Sequence, residues 1–207
     1  MNAEEAAARR HREKMAKRKL VQDAEVASKG VASKGLLMVH TGAGKGKSTA
    51  AFGLALRALG AGWKVGVVQF GKGAWQTGER RVLEKLGAEE GLVVWHTLGE
   101  GFTWETQDRA RDEAAARRAW DKARELMADP AIRLLVLDEL NIALRYEHLP
   151  LDEVVAALKT RRDDLHVVVT GRNAKPELIA SADLVTEMTL VKHHFAAGVK
   201  AREGIEF

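Results

Sequence analysis

The chain has 207 residues, 46% of them apolar and 30% charged, with a formal net charge of +4 and no cysteine. No apolar run approaches the ~20 residues that span a bilayer, and the absence of thiols excludes disulfides, thiolate metal sites and cysteine nucleophiles. The charge is localised: residues 1–34 hold nine Lys or Arg against five acids, so the basic excess belongs to an N-terminal arm and not to a folded nucleic-acid-binding face. Charges at Glu4, Glu5, Arg9 and Arg10 leave no apolar stretch for a secretory leader, and a cytoplasmic location is expected.

Residues 1–35 read as a flexible basic arm and linker. Positions 1–22 are rich in Ala, Glu, Arg and Lys without Gly or Pro, so they can be helical while having little apolar surface to bury. Such an arm is either a solvated helix or a mobile lid drawn to an anionic ligand. The direct repeat Val26-Ala-Ser-Lys-Gly30, Val31-Ala-Ser-Lys-Gly35 reads as linker. A second domain follows over 36–207. Its spacing predicts strands over 36–40, 64–70, 92–96, 132–137, 166–170 and 184–191. Helices are predicted over 47–60, 78–86, 107–128, 151–161 and 176–181. Near-continuous apolar runs such as L-L-V-L and V-V-V suit strands covered on both faces. The expected fold is three-layer α/β with a mostly parallel sheet.

The strongest local signal is T-G-A-G-K-G-K-S-T over 41–49, which satisfies G-x-x-x-x-G-K-[ST] through Gly42, Gly46, Lys47 and Ser48. An apolar strand leads into it and an Ala-rich helix leads out, as in a P-loop NTPase-like (RecA-like) fold. Glycines let successive backbone N–H groups converge on phosphate oxygens at a helix N-terminus with partial positive charge. Lys47 adds a point charge, and the Ser48 hydroxyl can ligate Mg²⁺. Its partner is Leu134-Leu-Val-Leu-Asp138-Glu139, an apolar strand ending in acids that places a carboxylate at the sheet's carboxyl edge. Mg²⁺ and a nucleoside triphosphate follow from these residues. The reaction does not. Lys45 is a second loop lysine, and Arg57 lies further along the same helix. Gly101-Phe-Thr-Trp104-Glu-Thr-Gln107 and Phe70-Gly-Lys-Gly-Ala-Trp75 add an aromatic sector beside the phosphate sector.

Taken together, these motifs resemble the P-loop ATP:cob(I)alamin (corrinoid) adenosyltransferases. The resemblance runs from about residue 35 to 207. It rests on T-G-A-G-K-G-K-S-T-A-A-F-G, V-G-V-V-Q-F, G-F-T-W-E-T-Q, V-L-D-E-L, Y-E-H-L-P-L-D-E-V, V-V-V-T-G-R and the ending V-K-H-H-F-A-A-G-V-K-A-R-E-G-I-E-F. It implies that Co(I) of a reduced corrinoid attacks the 5′ carbon of ATP, releasing triphosphate. By position, Gly42, Ala43, Gly44, Lys45, Gly46, Lys47, Ser48 and Thr49 would hold the triphosphate, with Arg57 nearby. Ser48 with Glu139, or its neighbour Asp138, would hold Mg²⁺. Phe102 and Trp104 would press on the corrinoid's lower face and, with Lys47, make up the catalytic set. The arm would order over bound corrinoid. A homodimer and an external electron donor such as a reduced flavoprotein are further implications.

Three departures stand out. Ala43 and Ser48 replace the Asn and Thr usual in that family's loop, and Gly71 stands where a bulkier apolar residue is usual, which would loosen its loop. His193 and His194 are expected in a strand, pointing to opposite faces, with no partner spacing that supports a metal site. Asp164-Leu-His166 begins a cobalt-ligating D-x-H-x-x-G signature but has Val169 at the Gly position, so His166 is read as a strand-entry residue.

Overall fold

The computed structural model describes residues 3–30, 34–71, 77–88, 90–99 and 108–206. They divide into two units, 1–33 and 34–207. The first is a single helix, α1 (Ala3–Ser28), exposed along nearly its whole length and laced by one-turn ion pairs such as Arg9–Glu13 at 2.8 Å. The helix continues through Val26-Ala-Ser28, so three of the five residues of the first repeat copy are helical and not linker. Residues 31–33 of the second copy lie outside the described residues.

The second unit alternates strands and helices: β1 (Leu37–Thr41), α2 (Lys47–Gly60), β2 (Lys64–Gln69), α3 (Gly78–Gly87), β3 (Val93–Thr97), α4 (Arg109–Ala128), β4 (Ile132–Asp138), α5 (Leu140–Arg145), α6 (Leu151–Lys159), β5 (His166–Thr170), α7 (Pro176–Ser181) and β6 (Leu184–Glu187). Among the described residues the strands form one six-stranded sheet ordered β3-β2-β4-β5-β1-β6, and every pairing is parallel. The expected α/β class and parallel sheet are therefore observed. No described helix is long and apolar enough to cross a membrane.

Strand alternation explains the layers, because successive side chains leave a strand on opposite faces. Leu37 and Val39, Leu135 and Leu137, and Val167 and Val169 pack on one face with α4, α6 and α7. Met38, Leu134, Val136 and Val168 face the other way, against Ala51, Phe52 and Ala55 of α2 and Leu83 of α3. Two cores thus sandwich one sheet, and all six carboxyl ends (Thr41, Gln69, Thr97, Asp138, Thr170 and Glu187) meet one edge. β5 stands between β1, which carries the phosphate loop, and β4, which carries the acids.

The differences from expectation cluster after strand ends. α5 was not anticipated; it turns off β4 directly from Glu139, which adopts left-handed backbone at φ 64°. β6 stops at Glu187, short of position 191, because the chain there turns to pack on the phosphate loop. His194–Ala197 is a 3₁₀ turn and not strand.

Trp120 of α4 anchors the larger core: it has no exposed surface, and its Nε1 donates to Glu153 Oε1 at 3.0 Å. Replacing it with Ala should cost about 3–5 kcal/mol, read as a fall in the urea midpoint of unfolding.

Candidate active site

The loop 42–46 leaves β1 and enters α2 through two left-handed glycines, Gly42 at φ 96° and Gly46 at φ 103°. Its shape is held from outside by the chain that follows β6. Gly44 N–H donates to Met188 O at 2.6 Å, and Met188 N–H donates to Thr41 O at 2.9 Å. The approach leaves no room for side chains: a Cβ at Gly42 would lie 2.4 Å from Met188 O, and one at Gly44 2.6 Å from Thr189 O. The loop is therefore preshaped by backbone contacts. Its amides and the first turn of α2 present partial positive charge to an anion. Ala43, Lys45, Gly46 and Thr49 are exposed, and Ser48 is half-buried.

Lys47 is buried, and its Nζ donates to Gly42 O at 2.9 Å and to Gly44 O at 2.5 Å. Without an anion the ammonium is satisfied by its own loop. Burial lowers its pKa from a lysine's usual 10.5; Glu139 opposes the shift, and Arg172 and Lys45 add to it. Lys45 reaches Glu206 Oε2 at 2.5 Å, and this hydrogen bond holds the Glu206 carboxyl below its ordinary range. Three charged groups thus act on Lys47, two of them from beyond residue 138.

The two acids of β4 have different surroundings. Asp138 has no exposed surface; its Oδ2 accepts from Gln69 Nε2 at 2.9 Å and its Oδ1 from Thr170 Oγ1 at 2.8 Å. Glu139 stands one residue on, its N–H donating to Thr170 Oγ1 at 2.9 Å. Its side chain lies between two loops: a Cβ at Gly71 would meet its Cβ at 3.2 Å, and one at Gly171 its Oε2 at 3.0 Å. Gly71 is buried and makes room for Glu139; the loop that it was expected to loosen continues into 72–76, outside the described residues. Gln69 is itself fixed, since Trp95 Nε1 and Thr97 Oγ1 both donate to its Oε1, at 3.1 and 2.9 Å.

The structure brings together 42–49, Asp138 and Glu139 at one sheet edge. It does not bring Arg57 to them: Arg57 is exposed in the last turn of α2, ten residues and about 15 Å along the helix from Lys47. Phe102 and Trp104, and the Trp75 segment, lie outside the described residues. His166 opens β5 as expected; its Nδ1 accepts from Leu36 N–H at 3.1 Å and its ring stacks on Trp63. His193 and His194 correct the expectation of opposed side chains, because the 3₁₀ turn sets their ring centroids 4.7 Å apart. Gln69, Thr170, Arg172 and Glu206 were missed. The first three sit at or just past the carboxyl ends of β2 and β5, where the rule for ligand sites in parallel sheets points.

Against families of known proteins, residues 33–207 match ATP:corrinoid adenosyltransferase BtuR/CobO/CobP, and residues 1–26 match the family of the cob(I)alamin adenosyltransferase N terminal. The chain belongs to the ATP:corrinoid adenosyltransferase family. It is 54% identical to a corrinoid adenosyltransferase of Pseudomonas aeruginosa over 100% of both chains. It is 53% identical to one from a Sinorhizobium species, over 96% of this chain and 92% of the relative. A third, from Escherichia coli, is 48% identical over 84% of this chain and 86% of its own.

The lowered pKa of Lys47 gives adenosyltransferase-type ATP binding a pH signature. A triphosphate bound at this loop would favour the ammonium form and raise its pKa, so protons would be taken up between the free and bound values. Affinity should therefore fall as pH rises through that alkaline window. In Lys47→Arg, where charge does not titrate, the alkaline fall should disappear. Calorimetric titration with ATP from about pH 7 to about pH 10 measures both.

Proposed function

We propose that this chain transfers the 5′-deoxyadenosyl group of ATP to the Co(I) of a reduced corrinoid, releasing triphosphate. The observation that carries the reading is an intact phosphate loop, with Lys47 inside it and Lys45 on its rim, in a chain that belongs to the corrinoid adenosyltransferase family. In the reaction the cobalt electron pair forms a bond to C5′. The C5′–O bond breaks, and its electrons leave with the triphosphate. The nucleophile carries no proton, so no general base is required.

The chain's task is to hold a highly charged leaving group and align it. Backbone amides of 42–48 and the ammonium groups of Lys45 and Lys47 would stabilise charge growing at the departing oxygen. A helix terminus supplies roughly 0.3–2 kcal/mol, whereas enzymatic acceleration asks for about 8–23 kcal/mol. Alignment of cobalt with carbon supplies about 7–11 kcal/mol of that. Oxygen donors suit Mg²⁺, and Ser48 and Glu139 would hold it, where it would neutralise triphosphate charge. Asp138, whose two oxygens accept from Gln69 and Thr170, is assigned to positioning Glu139 and not to direct ligation.

Further parts of the proposal rest on the family resemblance. Phe102 and Trp104 would press on the corrinoid's lower face and displace its axial ligand, which eases reduction to Co(I). The basic helix α1 would order over bound corrinoid. The electron would come from a separate donor such as a reduced flavoprotein. The working protein would be a cytoplasmic homodimer.

Anaerobic incubation with ATP and chemically reduced corrinoid tests the reaction. The expected products are triphosphate and an alkylated cobalt. ADP or AMP would instead indicate a P-loop ATPase or kinase using Glu139 to activate water or a hydroxyl, and unchanged ATP a corrinoid carrier. In the same assay Glu139→Gln should raise the Mg²⁺ concentration for half-maximal rate by about tenfold or more, with the phosphate product unchanged.

A further inference from the structure

The nucleotide reading leaves one side-chain group of the C-terminal segment unused. Two adjacent imidazoles stand at the start of the 3₁₀ turn, His193 capping it and His194 opening it, and Gly198 and Gly204 further on are both in left-handed backbone. Glu206 returns against the imidazoles, its Oε1 2.9 Å from His194 Nε2. One donor atom from each of His193, His194 and Glu206 lies within 4.8 Å of the other two. Tetrahedral bonds of about 2.0–2.1 Å place ligand atoms roughly 3.3 Å apart, so side-chain rotation closes the set. The His194 and Glu206 side chains are 39% and 16% exposed, open to an ion from solvent.

The donor chemistry selects among ions. Two imidazole nitrogens and one carboxylate oxygen suit borderline first-row dications with an open coordination position, whereas Mg²⁺ and Ca²⁺ take oxygen donors. The second oxygen of Glu206 already accepts from Lys45 Nζ at 2.5 Å. That contact orients the carboxylate as an outer-shell partner orients a metal-bound one.

We propose that His193, His194 and Glu206 bind a borderline dication of the Zn²⁺ class, through donors other than those assigned to Mg²⁺, and that the ion staples residues 193–206 into a closed loop. Binding through His194 Nε2 needs that nitrogen's lone pair, so the ring's remaining proton sits on Nδ1. His193 Nδ1 now accepts from the Phe195 amide at 3.1 Å, and an ion bound at that nitrogen would replace the amide, leaving it to water. In the nucleotide-free chain Lys45 keeps Glu206 Oε2. Water fills the remaining position.

The test is titration of the full-length, nucleotide-free chain with Zn²⁺ against a chromophoric chelator, with Co²⁺ as a visible-absorption probe. One equivalent per chain is expected, weakened roughly tenfold or more in His194→Ala and in Glu206→Gln. His11→Ala, in helix α1, should bind as the parent does. Co²⁺ should give the visible bands of a four-coordinate nitrogen–oxygen site. Because Glu206→Gln also releases Lys45, the double variant His193→Asn with His194→Asn, which leaves that ion pair in place, provides an independent check and should lose the equivalent. Absence of stoichiometric Zn²⁺ binding, or one equivalent that survives the double variant, overturns the assignment.

Discussion

Asp138 joins the carboxyl ends of three neighbouring strands. It stands at the end of β4 without solvent contact, and its carboxylate takes one hydrogen bond from Gln69 of β2 and another from Thr170 of β5. A buried carboxylate is costly unless its oxygens are satisfied, so this position requires both neighbours. Thr170 transmits the constraint onward, because its hydroxyl also accepts from the Glu139 amide while donating to Asp138. Glu139 is thus fixed in left-handed backbone and carried toward the phosphate loop across the width of β5. The site's acidic side inherits its geometry from a buried carboxylate that need not itself touch a ligand.

The basic side is built by a different device. Lys47 folds back on the carbonyls of Gly42 and Gly44, which keeps a buried ammonium satisfied before any anion arrives. In the proposed reaction an incoming triphosphate would exchange these contacts for its own oxygens, so the loop need not reorganise its backbone. Lys45, by contrast, is tethered outward to Glu206. The two loop lysines therefore start from different states, one internally solvated and one paired with the chain's own carboxylate.

Much of this was legible in the residues. α2, β5 and α7 occupy the predicted bounds, since Gly-Lys-Ser opens the first, a continuous V-V-V run marks the second and Pro176 starts the third. The phosphate loop and the L-L-V-L-D-E strand also land where spacing put them. What escaped was non-local. Nothing near Gln69 or Thr170 in sequence reveals that they share a carboxylate 69 and 32 residues away. Arg57 was expected near the triphosphate from the family resemblance, but helical rise carries it to the far end of α2. The His193–His194 pair was misread because alternation was applied to a segment that the following Gly198 turns into 3₁₀. Short α5 carried too little periodicity to stand out from the strand end before it.

The support beneath Gly44 consists of peptide groups of residues 188 and 189, not of their side chains. Such a brace is blind to which amino acids occupy those two positions but sensitive to how many residues lie between β6 and the cradle. Point replacements there would leave the carbonyls where they are. A single-residue insertion or deletion would slide the strut out of step with the loop it props, so chain length, more than chemical identity, is what this stretch must preserve.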